Sequence, residues 1–218
     1  MKAKIAKGVL LAGVAMAAWL GGMASMSLAQ SGSLRFPELT LAQMDSQQRP
    51  IADHILSFSR IGLGGPYHIM LRSPQAAKPI IDMMDYLRFQ STVPNRLKEF
   101  SIMIQGRLWR SQVEWGSHYA PAIKAGVSAE TLAELKSNHR PSSMQPDEAA
   151  VYDFCTELFT KHAVSDQTYG RLHQFLSDQQ TVDLTLLQGL YVTVASVMAM
   201  ANQGLPPGQE NPFKPGDP

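Results

Sequence analysis

The sequence predicts an all-α fold. Three observations carry that prediction. Apolar residues recur three and four apart through most of the chain from residue 73 onward, which is the period of a helix. Segments open on Ser, or on Pro followed by acids, and one closes on Gly126; these are helix start and stop signals. No sustained run of alternating β-branched residues offers a strand.

The elements follow in order. Residues 30–49 are polar, lack sustained periodicity and read as a lead-in arm. Residues 50–56 suit a short helix. Residues 61–67, Ile-Gly-Leu-Gly-Gly-Pro-Tyr, do not match G-x-G-x-x-G and follow no apolar strand, so they read as a turn rather than a phosphate cradle. Ser73-Pro74 then caps and opens a helix carrying Ala77, Ile80, Ile81, Met84 and Leu87. Pro94 opens the next, with Leu97, Phe100, Ile104 and Leu108 on one face. A third spans residues 111–125 and stops at Gly126. Ser128 caps a short helix bearing Leu132 and Leu135.

A polar connector, residues 139–145, contains Pro141. Pro146-Asp147-Glu148 places proline first and acids in the positive first turn, ahead of Val151, Phe154, Cys155, Leu158 and Phe159. Ser165-Asp166 caps a helix with Tyr169, Leu172, Phe175 and Leu176. Residues 182–202 are apolar nearly all round, the pattern of a core helix or an oligomer interface. Asp183, Gln188, Thr193 and Ser196 argue against a membrane span. Residues 50–206 thus form one helical domain of about six to eight helices, and residues 207–218 a Pro-rich, flexible tail.

The chain has 218 residues, 19 Lys+Arg, 18 Asp+Glu and one cysteine. One cysteine excludes an internal disulfide, a Cys-x-x-Cys redox pair and a thiolate zinc site. A formal charge of +1 gives no basic footprint for nucleic acid. Residues 1–29 resemble a cleavable export signal. Lys2, Lys4 and Lys7 precede an apolar run over residues 9–20, and Ser27-Leu28-Ala29 supplies small residues for a cut after Ala29. The apolar run is shorter than the roughly 20 residues that span a bilayer. Removing residues 1–29 takes away three lysines and no acid, so +1 becomes −2. The mature protein is expected to be mildly acidic and periplasmic or secreted, with no stable membrane insertion. Its lone cysteine is expected to be buried rather than reactive.

Candidate chemistry concentrates between residues 95 and 125. Glu114 and His118 are four apart and share a helix face. A carboxylate beside an imidazole orients the ring and suits proton transfer near neutral pH. The same spacing is also that of an ordinary solvated contact. Pro121 cannot donate the normal helical hydrogen bond, so a bend is expected there. No second Glu-x-x-His copy supports a di-iron site, and Gly116-Ser117-His118 lacks the nucleophile elbow. No metal and no cofactor is expected.

Residues 94–127, PNRLKEFSIMIQGRLWRSQVEWGSHYAPAIKAGV, resemble the core of the carboxymuconolactone decarboxylase family of the alkylhydroperoxidase D-like superfamily. The likeness rests on an ordered set: Glu99, then Ser111 and Glu114 three apart, then His118, then Ala122, Ala125 and Gly126-Val127-Ser128. Flanking stretches extend it over roughly residues 50–206. They are Gly65-Pro66-Tyr67 and Ser73-Pro74 before it, then residues 164–169 and 187–191 after it. In the cysteine branch of this superfamily the pair three apart performs thiol peroxidase chemistry. Here it is Ser111 and Glu114, neither of which forms a sulfenic acid or a disulfide.

The resemblance implies the non-cysteine branch. That means a helical homo-oligomer, trimer or hexamer, doing cofactor-free lyase or isomerase chemistry on a small carboxylated lactone or aromatic-derived acid. His118 is then the proton carrier, Glu114 its tuning partner, and Glu99 a second carboxylate or an arginine's partner. Arg107, Arg110, His68 and Arg72 are candidates to bind a substrate carboxylate, with Ser111 and Trp115 beside them. The competing reading is a non-catalytic small-ligand-binding or assembly member of the same fold.

Overall fold

The computed structural model describes residues 34–205 and 208–213. The proposed export signal lies outside the described residues. Among them there is no strand; nine α-helices account for the regular structure, joined by a 3-10 turn at Leu41–Gln43 and a π-helical turn at Tyr86–Gln90. The helices are α1 (Gln48–Phe58), α2 (Tyr67–Met70), α3 (Pro74–Asp85), α4 (Asn95–Leu108), α5 (Gln112–Ala125), α6 (Ala129–Lys136), α7 (Pro146–Lys161), α8 (Asp166–Leu172) and α9 (Asp178–Ala201). Eight correspond to sequence-predicted helices. The ninth, α2, is a single turn following the glycine-rich stretch, where Gly62 and Gly65 take positive φ.

Local chemistry explains the boundaries. The side chains of Ser111, Ser128, Ser165 and Ser177 each accept a backbone N–H from the first turn of their helix. Gly126 ends α5 at φ 104, a left-handed value that costs a glycine nothing. Pro74 and Pro146 stand at helix starts, where a missing N–H is harmless. Pro121 lies inside α5 without terminating it.

α4 organises the molecule. Eleven consecutive residues, Leu97 to Arg107, are buried. Such a helix needs neighbours on every side, and α4 packs against α5, α6, α7 and α9. It stands between two apolar clusters. Phe100, Met103 and Ile104 join Val151, Phe154, Cys155 and Leu172, while Ile102 joins Ile55, Ile81, Leu187 and Leu190. Leu108, expected on the buried face, is 37% exposed because the helix ends there. Tyr169 and Phe175, expected inside with Leu172 and Leu176, are also exposed.

α9 is long and apolar enough to cross a membrane by length and composition, but half of its apolar stretch is buried inside the fold. Asp183 and Gln188 lie buried on its inner side, while Val182, Leu186 and Met200 face outward. The lead-in arm is held to the far end of α9, where the Arg35 N–H donates to the Ala201 carbonyl (3.1 Å) and its guanidinium to that of Met200 (2.8 Å). The tail differs from expectation at Phe213. Its ring is buried against Trp115, edge to face at 5.3 Å, with the Arg107 and Arg110 guanidiniums over it. A large aromatic gains more by burial than a flexible tail would retain in freedom.

Candidate active site

Among the elements that line one cavity of about 380 Å³, four carry its central polar residues. α4 contributes Glu99, α5 contributes Glu114, Ser117 and His118, α9 contributes Tyr191, and the π-helical turn contributes Arg88. That turn inserts one extra residue into the helical repeat, and the Ser91 N–H closes it onto the Tyr86 carbonyl at 2.8 Å. Pro121 also lines the cavity. Lacking an N–H, it leaves the Ser117 carbonyl without its helical partner.

The central feature is a chain of hydrogen bonds. Arg88 donates to Glu99 Oε1 at 3.2 Å. Glu99 Oε2 lies 2.8 Å from His118 Nδ1. His118 Nε2 lies 3.1 Å from the Tyr191 hydroxyl. Burial works against charge on Glu99. The hydrogen bond from His118 and the charge and hydrogen bond of Arg88 outweigh it and hold this carboxyl below its ordinary value. An ionised Glu99 can only accept, so His118 Nδ1 is the donor. Burial lowers the His118 pKa, which favours the neutral ring. A neutral imidazole has one N–H, so Nε2 is an acceptor and receives the Tyr191 O–H. The two rings meet edge to face, 5.2 Å between centroids at 85°.

Glu114 is the opposite case. Its residue is 2% exposed, and neither carboxyl oxygen has a hydrogen-bond partner. Burial raises its pKa to about 8, with only the Ser111 hydroxyl working the other way. At neutral pH it is a protonated acid facing the cavity. The expected Glu114–His118 pairing is therefore not formed. Sharing a helix face brings two residues within reach but does not choose the partner. α4 packs onto α5 and presents Glu99, already anchored by Arg88, to the same imidazole.

The residues predicted to bind substrate are placed elsewhere. None of Arg107, Arg110, Ser111, Trp115, His68 and Arg72 lines this cavity. Arg107 donates from Nε to the Lys136 carbonyl at 3.0 Å. Arg110 and Trp115 pack on Phe213. Ser111 caps α5, and Arg72 donates to the Pro37 carbonyl at 2.6 Å. His68 is buried on α2, its ring nitrogens without hydrogen-bond partners. The basic side chains that do line the cavity are Arg88, Arg60 and Lys124, with Phe58, Tyr67 and Phe89 as aromatic wall. No local signal marks Arg88; Tyr191 falls in the 187–191 stretch that resembles the family, but nothing in the sequence joins it to the histidine 73 positions away that it meets.

The single cysteine, Cys155, is fully buried and its thiol pKa is raised by burial. A larger groove of about 630 Å³ runs between α1 and α3 and contains none of the predicted site residues. Among the described residues, no group of three or more His, Cys, Asp or Glu side chains is placed to hold a metal ion.

No family model matches the chain, and no curated protein matches it. A solved structure does resemble it: the alkylhydroperoxidase AhpD core of an uncharacterized peroxidase-related protein from Ralstonia eutropha JMP134. The TM-score is 0.67 and the identity 12%, covering 80% of this chain and 93% of that one. The chain therefore has an alkylhydroperoxidase D-like helical fold. At that identity the likeness establishes the fold alone.

Proposed function

We propose that the protein is a cofactor-free acid–base enzyme of the carboxymuconolactone decarboxylase type, acting on a small carboxylated lactone or aromatic-derived acid. The observation that carries this reading is the pair of carboxyl groups in one cavity with opposed protonation states. Glu99 is held ionised against His118 and Arg88, and Glu114 is held protonated, with a pKa raised to about 8. Two like groups pushed apart in this way supply an acid and a base at one pH.

The Glu99–His118 unit accepts a proton, because the carboxylate stabilises the imidazolium that forms. Glu114 returns one to a different atom of the ligand. Such exchange supports isomerisation, or delivery of a proton to carbon as carbon dioxide or another carbon fragment departs. Arg88, Arg60 and Lys124 give an anionic ligand its countercharge, and Phe58 and Phe89 an apolar face. Thiol peroxidase chemistry has no support: the two positions that would need sulfur are Ser111 and Glu114, and Cys155 sits in the core.

The export-signal pattern supports a periplasmic or secreted site of action. The outward apolar residues Val182, Leu186 and Met200 of α9 support assembly into a homo-oligomer. The test is a substrate screen of aromatic-acid and lactone catabolites with wild-type and His118→Ala protein. Turnover by wild type that is lost in the variant supports the reading. Failure to bind any carboxylated lactone or aromatic acid, with every turnover unchanged by His118→Ala, refutes it in favour of a non-catalytic member of the same fold.

A further inference from the structure

We infer that the group meeting the ligand at the basic end of the cavity is the Tyr191 hydroxyl, with His118, Glu99 and Arg88 acting through it. The inference rests on the acid–base reading of this cavity. Its ground is geometric. Both nitrogens of His118 are already engaged, Nδ1 with Glu99 at 2.8 Å and Nε2 with Tyr191 at 3.1 Å. A ligand atom cannot take the Nε2 position without breaking that bond. The Tyr191 oxygen donates its one proton to Nε2 and keeps lone pairs for a second contact. Tyr191 lines the cavity, and among the described residues no other hydrogen bond involves its hydroxyl.

The step balances as two coupled proton transfers. A ligand C–H proton passes to the Tyr191 oxygen while the Tyr191 proton passes to His118 Nε2. The electron pair of the broken C–H bond stays on the ligand as an enolate. The product on the protein side is an imidazolium against the Glu99 carboxylate, itself held by Arg88. No tyrosinate forms, which matters because burial raises the Tyr191 pKa strongly. No oxidant or reductant is needed. Tyr191 is thus the catalytic residue at this end, while His118, Glu99 and Arg88 set its proton affinity.

The same arrangement activates the phenol as a nucleophile, which permits a test that needs no substrate. The probe is 4-(fluorosulfonyl)benzoate, an aromatic acid whose sulfonyl fluoride takes a phenol oxygen on sulfur and releases fluoride, while His118 takes the proton. Wild-type protein is treated with it and the adduct mapped by peptide mass spectrometry, with exposed Tyr119 as the unassisted comparison. The expected result is preferential modification of Tyr191 over Tyr119, at least about tenfold slower in His118→Asn and absent in Tyr191→Phe. Modification of Tyr119 or Lys124 in preference to Tyr191, or a Tyr191 rate unchanged in His118→Asn, overturns the assignment. Once the screen yields a substrate, Tyr191→Phe should lower kcat by about 10²- to 10⁴-fold. Turnover lost in His118→Ala but kept in Tyr191→Phe removes the tyrosine's role and leaves the acid–base reading standing. Turnover unchanged in both removes the reading itself.

Discussion

Replacing Glu114 with glutamine should make the protein more stable at neutral pH. The carboxyl is buried, has no hydrogen-bond partner, and holds its proton up to about pH 8 in the folded state against 4.5 in the unfolded chain. Between those values the folded protein binds one more proton than the unfolded one. Stability therefore falls as pH rises, by about 1.4 kcal/mol per pH unit. No loss occurs below pH 4.5, and the loss is complete above about pH 8. At pH 7 it amounts to about 3 kcal/mol, because the two and a half units above 4.5 each carry that slope.

Glutamine keeps the shape and does not titrate. Glu114→Gln should match wild type near pH 4.5 and exceed it by about 3 kcal/mol at pH 7. That corresponds to a Tm higher by about 6–12 °C for a chain of this size. The assay is urea unfolding of both proteins from pH 4 to pH 9. Parallel stability curves, or a variant weaker than wild type at pH 7, would refute the reasoning. A gain in stability with a loss of turnover is the expected signature of a strained functional acid.

Three more outcomes are expected. Glu99→Gln should lower the His118 pKa further and destabilise the fold by about 3–5 kcal/mol, since Arg88 is left without its buried partner; imidazole NMR and urea unfolding check both. The stability that ionised Glu99 contributes in wild type should be present above pH 4.5 and lost as pH falls through its lowered folded value. Phe213→Ala should cost about 3 kcal/mol and expose residues 208–213 to proteolysis, which a thermal melt and limited digestion would show; unchanged values mean the ring is not anchored as described. Cys155 should ignore a thiol reagent in the native state and titrate as one thiol per chain in denaturant, whereas a fast native reaction would contradict its burial.

Much of the fold was legible because helices announce themselves locally. Ser128, Ser165, the helix-opening prolines Pro74 and Pro146 and the stop at Gly126 act within one turn, and the structure places them where the sequence puts them. Ser73 stands at its N-cap position without a side-chain bond, and the Ser177 cap, which starts the last helix four residues earlier than its apolar run, was missed. The apolar period found the inner faces of α3 and α7. It failed at Leu108, Tyr169 and Phe175, because period says which residues share a face and not whether that face is covered. Phe213 was missed for the converse reason: a proline-rich flank hides an anchor whose partners, Trp115, Arg107 and Arg110, lie about a hundred residues earlier in the chain.

The candidate site divides along the same line. Sequence by itself determined the residue types available: one cysteine too few for thiol chemistry, a carboxylate and an imidazole four apart, and a second carboxylate one helix earlier. Only the packing of α4, α5 and α9 decided which carboxylate holds the imidazole. It gave His118 to Glu99, recruited Arg88 from a π-helical turn and Tyr191 from the last helix, and left Glu114 alone and protonated. The physical reason is that protonation depends on burial and on partners across helices, and neither is a property of spacing along one chain.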